Sequence, residues 1–193
     1  MSEFEYLLVL VSVLVGVALS DLATSAHRLL RERRRVRWDW LSPLAAGLAT
    51  LAILRFWWKF YHFGQSEAWE QFGFFLLLLV QLFQLVLLAC AALPDEASGL
   101  DLRRFYAEQS RYYWWLFSTY ALGAIAFNAL ASGGVWWLGA PPHSHASVAF
   151  ITNLVFLPVS IALGLFRQRR LHEWMVPLVC IYFLALFFPQ QLV

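Results

Sequence analysis

Three basic side chains interrupt an apolar segment in the first third of the chain. Arg55, Lys59 and His62 are separated by four and then three residues, a spacing that puts them on one face of a helix. An ionised side chain in lipid costs roughly 2.5–3.5 kcal/mol on insertion scales, so such residues are paired, hydrated or turned inward. This face therefore predicts either an ion-pair cluster between helices or the wall of a polar cavity.

Acidic and amide residues elsewhere in the chain are candidate partners for this face. Glu67 has a position suited to the start of the next helix, and Glu70 lies one turn deeper, where it can reach Lys59. Asn128 and Asn153 are expected at a similar depth in two later segments. The ion-pair interpretation is favoured here, and the alternative is a cavity with donors and acceptors from four helices.

The first apolar segment carries a single acid, Asp21, with Thr24 and Ser25 about one turn further on. Arg104 and Arg111 are the candidate ion partners. In one interpretation Asp21 joins the first and fourth helices. In the other it accepts a proton or cation that enters from the cytoplasm, as buried carboxylates can do.

Two amides, Gln81 and Gln84, lie one turn apart near the middle of the third and most apolar segment. Amides in lipid commonly join helices, each hydrogen bond contributing roughly 0.6–2 kcal/mol. Helix association is therefore favoured over a pore-lining role for this pair.

The histidines allow a metal hypothesis that is less favoured. His143 and His145, with His62, have the ligand type for a divalent metal ion. Histidines in a Pro-flanked loop are more often solvated. The sequence implies no cofactor strongly, and the enzyme question stays open with a preference against catalysis.

Composition places these residues in a membrane protein. The 193-residue chain is 61% hydrophobic and 13% charged, whereas soluble domains are about 45–50% apolar and about 25% charged. A bilayer core about 30 Å thick needs roughly 20 apolar residues per helix. We predict an all-α, polytopic integral membrane protein, a single transmembrane domain over residues 1–193 with no soluble domain. Its bundle of about six helices spans 6–26, 41–61, 68–93, 112–130, 147–166 and 174–192.

Arginine clusters predict the orientation. Almost all basic residues fall within 28–37, 103–111 and 167–170, and cytoplasmic loops collect such residues. The basic loops are expected in the cytoplasm and both termini outside, in a plasma (inner) membrane. The net charge of +2 does not indicate a nucleic-acid partner, and lipid headgroups are the expected partners of these arginines.

Three functions are consistent with these patterns. The first is a small transporter or channel for protons, cations or a small polar solute, which implies a homo-oligomer or a narrow path within one bundle. The second is a non-catalytic membrane sensor or a subunit that assembles with a membrane partner protein. The third, least favoured, is a redox or metal-dependent membrane enzyme.

Overall fold

A computed structural model of the chain describes residues 3–62, 72–95, 101–131 and 145–187. Within these ranges the chain forms helices and no strand, which confirms the all-α prediction. The helices are α1 (Glu3–Arg31), α2 (Leu41–His62), α3 (Phe72–Ala92), α4 (Leu102–Ala131), α5 (His145–Leu165) and α6 (Arg169–Phe187).

Each predicted apolar segment overlaps one helix, and α4 and α6 begin five or more residues before the predicted spans. α4 starts at Leu102, not at 112, because Asp101 caps it: the Asp101 Oδ1 accepts from the backbone N–H groups of Arg103 at 3.0 Å and Arg104 at 3.3 Å. α6 likewise starts at Arg169 and not at 174. Polar residues continue a helix without contributing to an apolar span. Residues 68–71 and 188–192 of the predicted spans lie outside the described ranges.

Among the described residues, three helices are long and apolar enough to cross a membrane: Glu5–Arg31, Leu41–Tyr61 and Phe72–Ala92. A shorter apolar helical stretch covers Thr152–Leu165. The outer face of α1 exposes Val9, Val13 and Val17, each by more than half of its surface. Continuous apolar faces of this kind are rare on soluble monomers and indicate a membrane protein.

Helix α2 lies inside the bundle, where it packs against α1, α3, α4 and α6, while α4 packs most extensively against α5 and α3. The Tyr113 hydroxyl on α4 donates to the Ala45 carbonyl on α2 at 2.6 Å. Trp114 and Phe117 are fully buried, and Phe117 meets Phe156 of α5 edge to face, with ring centroids 5.2 Å apart. Aromatic packing therefore fixes α2 and α5 on either side of α4.

The three basic segments gather at one end of the bundle. At this end the Arg28 Nη1 donates to the Asp95 carbonyl at 3.1 Å, and the Leu102 N–H donates to the Arg37 carbonyl at 3.1 Å. These contacts join the α1–α2 connection to both ends of the α3–α4 connection. The side of the membrane on which this end lies stays a prediction.

The third basic segment joins the same end through a charged pair. The Arg169 Nη2 donates to the Asp39 Oδ1 at 2.7 Å, and the Arg169 Nη1 donates to the Asp39 Oδ2 at 3.3 Å. The Arg169 Nε donates to Glu173 at 2.7 Å. The Asp39 side chain is only 6% exposed. This two-point geometry gives strong hydrogen bonds and connects the start of α2 to the start of α6.

We expect Asp39→Ala to lower the free energy of unfolding by about 1.5–3 kcal/mol, because hydrogen bonds to charged groups contribute that much. Thermal melting of the purified protein in detergent measures the effect. Glu32→Ala is the control, since Glu32 meets the exposed Arg35 at 3.6 Å and such surface pairs contribute at most about 1 kcal/mol. Equal losses for the two variants would contradict the structural role of Asp39.

Candidate functional site

Five helices, α2 to α6, enclose a small cavity of about 40 Å³. This is room for roughly three waters, at about 10–15 Å³ for each water centre. The cavity is lined by Arg55, Phe56, Lys59, Phe60, Gln81, Tyr120, Ala124, Phe127, Asn153 and Phe183. Its apolar walls therefore carry a small number of polar groups, which is the usual composition of a binding site.

The two basic residues of the lining come from consecutive turns of α2. Pro43 in the first turn of this helix is tolerated because N–H groups there have no intrahelical acceptor. From that start the helix runs unbroken to His62, so Arg55 and Lys59 share a face, as their spacing predicted. Their like charges repel, and the repulsion is weakly screened because water is scarce in this interior.

Lys59 contacts the fourth helix directly. Its ammonium nitrogen donates a hydrogen bond to the Asn128 Oδ1, and the Asn128 amide nitrogen donates to the Ala124 carbonyl one turn earlier. Asn128 is 1% exposed. The amide is thereby held in one orientation, with its oxygen toward Lys59.

Arg55 is placed against aromatic groups. Its guanidinium carbon lies 5.5 Å from the centre of the Phe183 ring on α6, a distance at which a cation is attracted to a ring face. The phenols of Tyr120 and Tyr182 are close enough to interact electrostatically with it. The Arg55 Nη1 is buried and has no hydrogen-bond partner among the described residues.

The two glutamines do not form the bond between helices that the sequence favoured. The Gln81 Nε2 donates to the Gln84 Oε1 at 3.1 Å within α3, and Gln81 also lines the cavity. The Gln81 Oε1 is buried without a partner in the described part of the chain. A Cβ added at Gly123 would overlap the Gln81 amide, so this glycine lets α4 approach the amide closely.

Asp21 lies on α1, outside the five helices that line this cavity. Helix α1 packs mainly against α3 and α2, and the Asp21 carboxylate lies near the Cys90 thiol of α3. Of the two expected arginine partners, Arg104 donates instead to Glu108 at 2.8 Å. Asp21 does not line the cavity that contains Arg55 and Lys59.

Several predicted residues lie beyond what the structure describes. Glu67, Glu70 and His143 are outside the described ranges, and of His62 and His145 only the helical backbone is described. The Lys59–Glu70 pair and the histidine metal site therefore stay predictions. Among the described side chains, no group of three or more His, Cys, Asp and Glu residues could hold a metal ion.

A second polar cluster lies at the basic end of the bundle, where α6 begins. The Trp114 Nε1 donates to the Tyr106 hydroxyl at 3.2 Å. The same hydroxyl lies 2.9 Å from the His172 Nδ1. The His172 Nε2 lies 2.9 Å from the Phe166 carbonyl. Since a carbonyl can only accept, Nε2 carries the proton and Nδ1 accepts from Tyr106. This assignment satisfies every group in the chain of bonds.

Burial lowers the pKa of His172, and the bond to the Phe166 carbonyl opposes part of this shift. A folded-state pKa below the unfolded value means that the unfolded chain takes up the proton first as the pH falls. We therefore expect His172 to contribute fully to stability above about pH 6.5 and to lose this contribution below it, by at most about 1.4 kcal/mol per pH unit.

Melting temperatures measured across this pH range test the expectation. His172→Gln should flatten this dependence of the melting temperature on pH. An unaltered pH profile in His172→Gln would contradict the assignment.

Six of the ten described lining residues, among them Tyr120 and Phe183, were not predicted from the sequence. Tyr120, Ala124 and Asn128 follow one another at intervals of four, so a search for polar and small residues on one face of α4 would have found the first. Phe183 carries no such signal, because it is one aromatic residue among many in an apolar helix.

No protein-family model matches this chain, and neither a curated protein nor a solved structure is similar to it.

Proposed function

We propose that this protein is a six-span bundle of the inner membrane that moves a small polar solute through the cavity lined by the five helices α2 to α6. The basic end faces the cytoplasm and both termini lie outside. The path is a narrow one within a single bundle, since one bundle already encloses the cavity.

One observation carries the proposal: a buried guanidinium leaves a hydrogen-bond donor unused beside a cavity. A buried polar group without a partner costs roughly 1–3 kcal/mol, and more when it is charged. Arg55 has such an atom in Nη1, and it lines the cavity. Polar groups left in this condition inside a membrane are typical of solute pathways.

The charges of the lining residues bear on whether the solute is a proton, a cation or a small polar molecule. Arg55 and Lys59 are basic, and the described lining carries no carboxylate. Rings of Asp or Glu are one usual means of selecting cations, whereas basic side chains are the usual means of selecting anions. Asp21, the acid expected to serve a proton or cation path, lies near Cys90 away from the cavity. A polar solute that accepts hydrogen bonds therefore fits better than a cation.

Occlusion of the cavity tests the proposal. Ala124→Leu adds three carbon atoms to a lining position in a cavity of about 40 Å³, so flux of small polar solutes into proteoliposomes should fall to the level of empty vesicles. The control is Ala126→Leu, the same exchange at an exposed position on the same helix.

Wild type and Ala126→Leu should give equal fluxes. Fluxes of wild type indistinguishable from empty vesicles, for anions, cations and neutral solutes alike, would reject the transport function. Equal flux through Ala124→Leu and wild type would reject this cavity as the path.

A further inference from the structure

We infer that the solute is a small monoanion that carries its own hydrogen-bond donor, of which hydrogencarbonate is the simplest example. The inference rests on the proposed function, since it names the solute that the cavity admits. Three properties of the lining lead to it: its charge, the polar atoms that lack partners, and its size.

The charge of the lining calls for an anion. Arg55 and Lys59 lie one turn apart on α2 and both line the cavity. The Arg55 guanidinium faces the ring of Phe183, which holds the cation in place without neutralising it. Basic side chains lining a pore are the usual means of selecting anions, and an anion here would accept from the Arg55 Nη1 and compensate the charge of its guanidinium.

The polar atoms without partners require both an acceptor and a donor from the solute. The Arg55 Nη1 is a donor, and the Gln81 Oε1 is an acceptor. The Gln81 Nε2 already donates to the Gln84 Oε1 at 3.1 Å. The Gln81 Oε1 is therefore the atom of this amide that can bind a solute. Chloride, nitrate or acetate can accept from Arg55 but cannot donate to Gln81. A hydroxyl-bearing anion can do both.

The size of the cavity excludes large solutes. A volume of about 40 Å³ holds roughly three waters, which corresponds to an anion of about three to five non-hydrogen atoms. Cavities for drug-sized ligands measure about 300–1,000 Å³. Hydrogencarbonate and glycolate fit this range, and sugar phosphates and nucleotides do not.

Binding can be measured on the purified wild-type protein in detergent, without any variant. Thermal melting is recorded near neutral pH and at constant ionic strength during titration with hydrogencarbonate, glycolate, nitrate, acetate or the neutral donor glycerol. Hydrogencarbonate and glycolate should raise the melting temperature with half-saturation at roughly one tenth of the nitrate and acetate concentrations, because a site with an unused acceptor discriminates against ligands that lack a donor. Half-saturation by nitrate at the same concentration as hydrogencarbonate, or a glycerol response equal to both, would overturn the inference.

Two variants separate the contributions of the charge and of the acceptor. Arg55→Gln should abolish the response to every anion, and its control is Arg111→Gln, at an exposed position of α4. Gln81→Leu should keep anion binding but bring hydrogencarbonate and nitrate to equal half-saturation, and its control is Gln109→Leu, also exposed. A hydrogencarbonate preference that survives Gln81→Leu would overturn the role of the acceptor.

The outcome for the solute is distinguishable from the outcome for transport. Vesicles that pass glycerol as fast as hydrogencarbonate would preserve the transport function and reject the monoanion. Selective binding of hydrogencarbonate in detergent with no flux in vesicles would preserve the site and reject transport. Selective binding together with selective flux is the result expected.

Discussion

Replacement of Arg55 by methionine is expected to abolish solute flux and, at the same time, to make the protein harder to unfold. Methionine has a similar length and no charge, so it removes a buried cation whose Nη1 has no partner among the described residues. Burial of a charge in a span costs roughly 2.5–3.5 kcal/mol. The contact of Arg55 with Phe183 at 5.5 Å returns about 0.5–2 kcal/mol. The net gain in unfolding free energy should be about 0.5–3 kcal/mol.

This pair of opposite effects separates a functional arginine from a structural one. If Arg55 mainly joined helices through an ion pair, its loss would destabilise the protein, as the removal of one partner of a buried pair does. Flux into proteoliposomes and thermal melting in detergent measure the two quantities. Arg111→Met, at an exposed position, should change neither. A lower melting temperature with unchanged flux would show that Arg55 serves the fold.

A double-mutant cycle on Lys59 and Asn128 is expected to show strong coupling. Each of Lys59→Met and Asn128→Leu removes one side of the hydrogen bond between α2 and α4, and each should lower the unfolding free energy by about 1–3 kcal/mol. The double variant removes both polar groups together. Its loss should be smaller than the sum of the single losses by about 1–2 kcal/mol.

Flux should fall about tenfold or more in all variants of the cycle that lack Lys59, because Lys59 lines the cavity and supplies part of its charge. The control cycle pairs Lys59→Met with Ser118→Ala. Ser118 bonds instead to Ser160 at 3.0 Å and lies ten residues from Asn128 on α4, so its effect should add to that of Lys59→Met within about 0.5 kcal/mol. Additivity in the Lys59–Asn128 cycle would contradict the importance of this bond.

The two predictions concern charged residues of one site: Arg55 reduces the stability of the fold, whereas Lys59 contributes to it through its bond to Asn128. Arg55 and Lys59 place two like charges in an apolar bundle, and Gln81 leaves an oxygen unpaired beside them. Local violations of folding rules of this kind concentrate at functional sites. The Tyr106–His172 cluster at the basic end contrasts with them, because every one of its hydrogen-bonding groups has a partner.

The helical class, the positions of six helices and the shared face of Arg55 and Lys59 were predictable from the sequence. Each depends on residues that are near one another in the chain: an apolar run, a turn of four residues, a cluster of arginines. Helices α4 and α6 begin ten and five residues before the spans predicted at 112 and 174, because a search for apolar spans does not detect polar residues that continue a helix.

The composition of the site was predictable only in part. Asn128 was expected near Lys59 because their depths along their helices agree, and the two are hydrogen-bonded. Depth did not show which way Asp21 faces: this residue lies near Cys90 of α3, and Arg104, one of its two expected partners, donates to Glu108 instead. The same limitation affected Gln81, whose amide bonds within its own helix.

The sequence by itself determined an all-helical chain with apolar segments long enough to cross a membrane and two cations on one face of such a helix. It did so because hydropathy and helical periodicity are local properties of the chain. Only the tertiary structure decided which groups meet those cations, namely Phe183, Tyr120, Gln81 and Asn128 from three other helices. That choice depends on the order and rotation of packed helices, which many distant contacts fix together.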